Sequence, residues 1–219
     1  MNELERRSYL AEVVAVLQRH WPENRAVAIV CHGHSVPAGY FATPMVDSFH
    51  AYPHLLHRGL KQRFPFAVIN VIVTAIGGES SVSGARRFAE VLAHQPDVVT
   101  IDYGLNDRGV GLEAARGAWR EMIEAALSQG VRVLLLTPTP DITQRPEAAP
   151  EEREPLLAHA EQIRALAGQY GVGLIDSLAA FQAYQRHGEL SDLLSWSNHP
   201  NARGHALVAR ELLRWFPAG

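Results

Sequence analysis

The chain has 219 residues, 47% of them hydrophobic, enough for one domain with a sizeable core. Twenty Lys and Arg stand against 23 Asp and Glu, a formal net charge of -3, so the basic excess of a general nucleic-acid binder is missing. One cysteine, Cys31, excludes an internal disulfide framework, and no run approaches the ~18 apolar residues of a membrane span. The charged start (Glu3, Glu5, Arg6, Arg7, Glu12) has no apolar signal core, so a cytoplasmic protein with no nucleic-acid or membrane partner is expected.

Leu4, Leu10, Val13, Val14 and Leu17 fall at helical spacing and predict an amphipathic helix over 3–19. Val27 to Val30 is an apolar, β-branched run, the pattern of a buried parallel strand over 26–32. Gly33 ends it, and Ser35 follows at the strand's carboxyl end, where open α/β sheets bind ligands. A serine there is a nucleophile or the cap of the next helix.

A loop with Pro37, Gly39 and Pro44 leads to a helix capped by Asp47 or Ser48 and running to about Arg63, with Pro53 in its first turns or breaking it. His50, His54 and His57 share one face of it, read as a polar surface near the rim. Val68 to Val73 is the second strand. A loop with Gly77-Gly78 precedes a helix over 84–94, where Arg86 and Arg87 are read as solvated. Strand three covers 97–101 and runs into Asp102-Tyr103-Gly104-Leu105-Asn106-Asp107. A helix over 111–129 ends at Gly130, strand four covers 131–136, a helix covers 150–169, strand five 173–175, a helix 178–186, and the last helix 201–215.

Five alternations of strand and helix predict a doubly wound α/β sandwich on a parallel sheet. Right-handed crossovers put the loops at 33–40, 74–83, 102–109 and 137–145 on one rim. Those loops carry the parts of an acyl-transfer site: Ser35, a backbone N–H at Gly78, and the Asn106 amide, which are oxyanion-hole materials unless Gly77-Gly78 and Asn106 are plain turn residues. His199 stands before the last helix, followed by Pro200, and is either a general base aimed at Ser35 or an exposed loop histidine.

Four blocks in order, Gly33-His34-Ser35, Gly78, Gly104-Leu105-Asn106-Asp107 and Asn198-His199-Pro200-Asn201 with Gly204-His205, resemble the SGNH (GDSL-type) hydrolase superfamily over about 26–215. The resemblance implies one SGNH-hydrolase-like domain over 1–219 with a flavodoxin-like sheet ordered 2-1-3-4-5. It implies Ser35 as nucleophile, His199 as base, an oxyanion hole of the Ser35 and Gly78 N–H groups with Asn106, and no metal or other cofactor. Activity on a small-molecule ester is implied, such as a short-chain acyl or carbohydrate O-acetyl ester.

Two positions depart from the family pattern. His34 stands where Asp usually precedes the serine. Trp196 stands where Asp usually orients the catalytic histidine, and an indole N–H only donates. The acceptor on His199 is then a backbone carbonyl within 196–198, or Asp192 if the loop doubles back. A ligand-binding relative weakened by the missing acid is the competing reading. His32 and His34 raise a metal site, but no zinc-type spacing accompanies them. Cys31 reads as a small core residue. The rim loops look poor in apolar residues, with Pro37, Tyr40, Phe41 and Pro138 the main ones, which favours a short acyl group.

Overall fold

The computed structural model describes residues 8–218. Five parallel strands form one sheet: β1 (Ala26–Gly33), β2 (Val68–Val73), β3 (Val98–Asp102), β4 (Arg132–Leu136) and β5 (Gly173–Ile175), in the order 2-1-3-4-5. The helices are α1 (Ala11–Leu17), α2 (Ser35–Ala38), α3 (Tyr52–Arg63), α4 (Ser81–Arg86), α5 (Phe88–Ala93), α6 (Leu112–Ser128), α7 (Pro150–Tyr170), α8 (Ser177–Gln185) and α9 (Ala202–Leu213). The helix expected over 3–19 begins outside the described residues. Among the described residues no helix is long and apolar enough to cross a membrane.

The largely apolar sequences of β1, β3 and β4 arise because both faces of the sheet are covered. Side chains alternate strictly between two buried clusters. Val27, Ile29 and Cys31 of β1 join Leu134 and Leu136 of β4, Leu56 and Leu60 of α3 and Leu212 of α9 on one face. Val30 of β1 joins Val99 and Ile101 of β3 and Trp119, Met122 and Ile123 of α6 on the other. Cys31 is a free, fully buried core thiol, and burial pushes its pKa up to about 12.

Three local differences from the sequence reading have physical causes. Asp47 caps a separate 3-10 turn over Ser48–His50, accepting from the His50 N–H, while α3 starts afresh at Tyr52 with Pro53 in its first turn, where no N–H is missed. The expected helix over 84–94 starts earlier and splits at Arg87 into α4 and α5. Arg87 is no solvated side chain: it forms a two-pronged pair with Glu79 in which both partners are largely buried.

The rim is stitched across strands. Gly33 carries no side chain because a Cβ would lie 2.4 Å from the Asp102 carbonyl oxygen, and this close approach lets the His34 N–H donate to that oxygen at 3.2 Å. The Ile76 N–H donates to the Gly33 carbonyl at 3.0 Å, drawing the loop after β2 alongside Ser35. Loop after β4 meets the C-terminal loop through the Ile142 N–H on the Ser197 carbonyl at 2.8 Å.

Candidate active site

Ser35 is the first residue of the four-residue α2 and is 7% exposed. The cap of that helix is His34, whose Nδ1 accepts from the Val36 N–H at 3.2 Å. The Ser35 hydroxyl is therefore not spent on capping. It lies 2.9 Å from His199 Nε2.

His199 is held by the hairpin-like loop before α9. Leu194 and Pro200 form an antiparallel bridge, and the Ser195 N–H donates to the His199 carbonyl at 2.9 Å. Asn201 caps α9 through the N–H groups of Arg203 and Gly204, and its own amide donates to the Asp192 and Leu194 carbonyls. The imidazole is thus fixed by its own chain on both sides.

The acceptor on Nδ1 is the carbonyl of Phe41, at 2.7 Å. A carbonyl only accepts, so Nδ1 carries the proton and the Nε2 lone pair faces Ser35. This corrects both sequence candidates. The carbonyl comes from the loop after α2 rather than from 196–198, and Asp192 is engaged elsewhere, accepting from the Tyr184 hydroxyl and the Glu189 N–H. Trp196 is 68% exposed. Phe41 is placed by a turn in which Tyr40 bridges Val46 and the Phe41 N–H donates to Met45 O at 3.0 Å. Its ring packs 5.0 Å from His205, whose Nδ1 accepts from the Tyr52 N–H. Burial lowers the His199 pKa below its ordinary value, with His34 adding to the shift and the Phe41 carbonyl opposing it.

Gly78 lies in the loop after β2 and Asn106 in the loop after β3. Gly78 is exposed at φ +82, the left-handed region that favours glycine. One hydrogen of the Asn106 amide donates to the Glu79 carbonyl at 2.8 Å, which ties the loop after β3 to the loop after β2. Asp107 reinforces the tie. Its buried carboxylate accepts from the Ser81 N–H at 2.8 Å and from the Trp119 indole at 2.7 Å, while desolvation raises its pKa.

His32 and His34 are each engaged within the fold. His32 bonds Thr74 Oγ1 and the Tyr103 hydroxyl, and burial lowers its pKa to about 4. His34 Nε2 faces Asp102 Oδ1 at 3.5 Å. Among the described residues no group of three or more His, Cys, Asp and Glu side chains converges to hold a metal ion. His50 pairs with Asp47, and the rings of His54 and His57 lie 6.5 Å apart on α3. Of the four apolar rim residues singled out in sequence, Pro37, Phe41 and Pro138 are buried, while Met45, Val46, Phe49, Ile76 and Trp196 in the neighbouring loops are the exposed ones.

The Phe41 carbonyl was invisible in sequence because every residue carries one. The Glu79–Arg87 and Asp107–Trp119 contacts also join residues with no shared motif.

Residues 31–207 match the model of the GDSL-like lipase/acylhydrolase family. No curated protein matches the sequence. Among solved structures, the acetylxylan esterase Axe2 from Geobacillus stearothermophilus is similar, with a TM-score of 0.75 at 21% identity over 87% of this chain and 94% of that one. LAE5, an alpha/beta hydrolase enzyme from the metagenome of Lake Arreo, Spain, superimposes with a TM-score of 0.75 at 22% identity over 87% and 94% of the two chains. Catalytic mutants of Axe2 replace a serine, a histidine and an aspartate.

Proposed function

Because the chain belongs to the GDSL-like lipase/acylhydrolase family and is an SGNH hydrolase, we propose that it is a serine esterase in which Ser35 is the nucleophile and His199 its base. The observation that carries this is the Ser35 Oγ to His199 Nε2 contact of 2.9 Å, with the tautomer set by the Phe41 carbonyl. In this reading His199 takes the hydroxyl proton as Ser35 attacks the ester carbonyl, then returns it to the departing alcohol oxygen. A water attacks the acyl-enzyme by the same route in reverse. The Ser35 and Gly78 N–H groups and the second Asn106 amide hydrogen receive the oxyanion.

The site uses a Ser–His dyad. The Phe41 carbonyl orients the imidazole but brings no full charge, so it stabilises the imidazolium less than a carboxylate does. We assign a short acyl group, with a carbohydrate O-acetyl ester as the substrate class. The small exposure of Ser35 and the nearness of Tyr40 to His199, 6.0 Å between rings, support it, as does the likeness to an acetylxylan esterase.

A fluorophosphonate should attach to Ser35, with labelling and hydrolysis of p-nitrophenyl acetate both lost in Ser35→Ala. An adduct on another serine would overturn the assignment, and no adduct on folded protein would leave the ligand-binding reading. Faster kcat/KM on octanoyl than on acetyl esters would overturn the acyl-length assignment alone.

A further inference from the structure

We propose that His34, facing Asp102, is a second proton acceptor for the Ser35 hydroxyl beside His199. The proposal rests on the reading of Ser35 as nucleophile.

Three contacts carry it. His34 Nδ1 lies 3.3 Å from Ser35 Oγ. The same Nδ1 accepts from the Val36 N–H, so it is unprotonated and the ring proton sits on Nε2. That Nε2 makes no hydrogen bond among the described residues, and it faces Asp102 Oδ1 at 3.5 Å, an ion-pair separation once the ring is charged. Both side chains are nearly fully buried, at 1% and 3% exposure, so water screens their attraction little.

The Ser35 hydroxyl has one proton and lies between two ring nitrogens that can accept it. His199 holds it at rest, since 2.9 Å is shorter than 3.3 Å and the His199 Nε2 lone pair is not shared with a backbone N–H. The carboxylate, however, stands behind the other ring. Asp102 ends β3 beside Gly33, which ends β1 in the parallel register. The chain thus carries a Ser–His–Asp series through His34, in place of one through His199.

His34 acts only within limits. Protonation of Nδ1 displaces the Val36 N–H, so this acceptor is the slower one. Its burial keeps it from the alcohol oxygen of a departing group, so it serves acylation only when the leaving group needs no proton. With p-nitrophenyl acetate a single turnover balances without an added reagent. The Ser35 Oγ–acyl carbon bond forms, the ester C–O bond breaks, p-nitrophenolate leaves with the electron pair, and the serine proton stays on His34 Nδ1, the charged ring facing Asp102.

The test uses His199→Ala. This variant should release one slow equivalent of p-nitrophenolate and become acetylated on Ser35 by intact mass and peptide mapping. Adding His34→Asn should slow that burst by at least about a hundredfold, the low side of what a general base contributes. The asparagine oxygen reproduces the cap on Val36, so a purely capping role predicts no change. Asp102→Asn in the His199→Ala background should slow the burst in the same direction, and each variant's fold is checked by its thermal transition. A double variant acylated as fast as His199→Ala overturns the proposal, as does absence of any Ser35 acylation in His199→Ala. Should the double variant fail to fold, the Asp102→Asn comparison decides: an unchanged burst overturns the proposal, and a slowed one supports it. Hydrolysis surviving Ser35→Ala in the otherwise unaltered chain would instead defeat the serine-esterase reading.

Discussion

The Phe41 carbonyl oxygen accepts from His199 Nδ1 at 2.7 Å, in the place where a triad would put a carboxylate. Ser35, which opens α2, and the Phe41 carbonyl, in the loop after α2, therefore come from one stretch of chain. With Nδ1 already bonded, a new carboxylate on the His199 loop meets no free ring proton. Trp196→Asp should leave kcat within about threefold, and Asp192→Asn should do the same, because Asp192 serves Tyr184 and Glu189. Both are read from steady-state rates on p-nitrophenyl acetate. A loss of about 10⁴ in Asp192→Asn, the scale of neutralising a true triad acid, would place Asp192 on His199.

Asn106→Ala should lower kcat by about 100- to 1000-fold with little change in KM, since an oxyanion donor acts on charge that develops only in the transition state. An effect confined to KM would make Asn106 a substrate-binding residue.

The rate should depend on the protonation of His199. Burial holds its pKa below the ordinary 6.5, so the base stays neutral to lower pH than a free imidazole. The acid limb of kcat/KM should have its midpoint below pH 6.5. A midpoint above that value would mean that the base is stabilised in its charged form.

Acid should destabilise the fold through two other histidines. Burial lowers His32 to about 4 and His205 to about 3, against about 6.5 in the unfolded chain. Below pH 6.5 the unfolded state binds protons that the folded state refuses, so stability is complete above 6.5 and falls as pH drops towards 4 for His32 and towards 3 for His205. The combined loss is on the order of several kcal/mol. His205→Asn keeps an acceptor for the Tyr52 N–H and removes the imidazole, so Tm against pH should flatten in that window. An unchanged slope would exclude His205 as a source.

Asp107→Ala should strand two buried donors, the Ser81 N–H and the Trp119 indole. Each orphaned donor costs about 1–3 kcal/mol. Chemical denaturation should therefore show a loss of several kcal/mol. A loss under about 1 kcal/mol would mean that water replaces the carboxylate without penalty.

The strands, their parallel arrangement and the gathering of four loops on one rim were legible in sequence. Apolar runs such as Val27 to Val30 and Val133 to Leu136 are local patterns, and burial on both faces dictates them. Ser35, Gly78, Asn106 and His199 could be located for a related reason: each follows or precedes a recognisable element, so its place in the topology comes from its place in the chain. What only the tertiary structure decided were contacts made by groups that carry no signature. The Phe41 carbonyl became the partner of His199 because the turn at 40–46 folds back beneath the C-terminal loop. His34, and not Ser35, became the cap of α2 because the Gly33 backbone packs against Asp102. Arg87 left solvent because Glu79 waits beside it in the loop after β2. Local periodicity reports which face of an element is buried; it carries no information about which polar atoms meet once distant loops converge, and in this protein those meetings define the site's electrostatics.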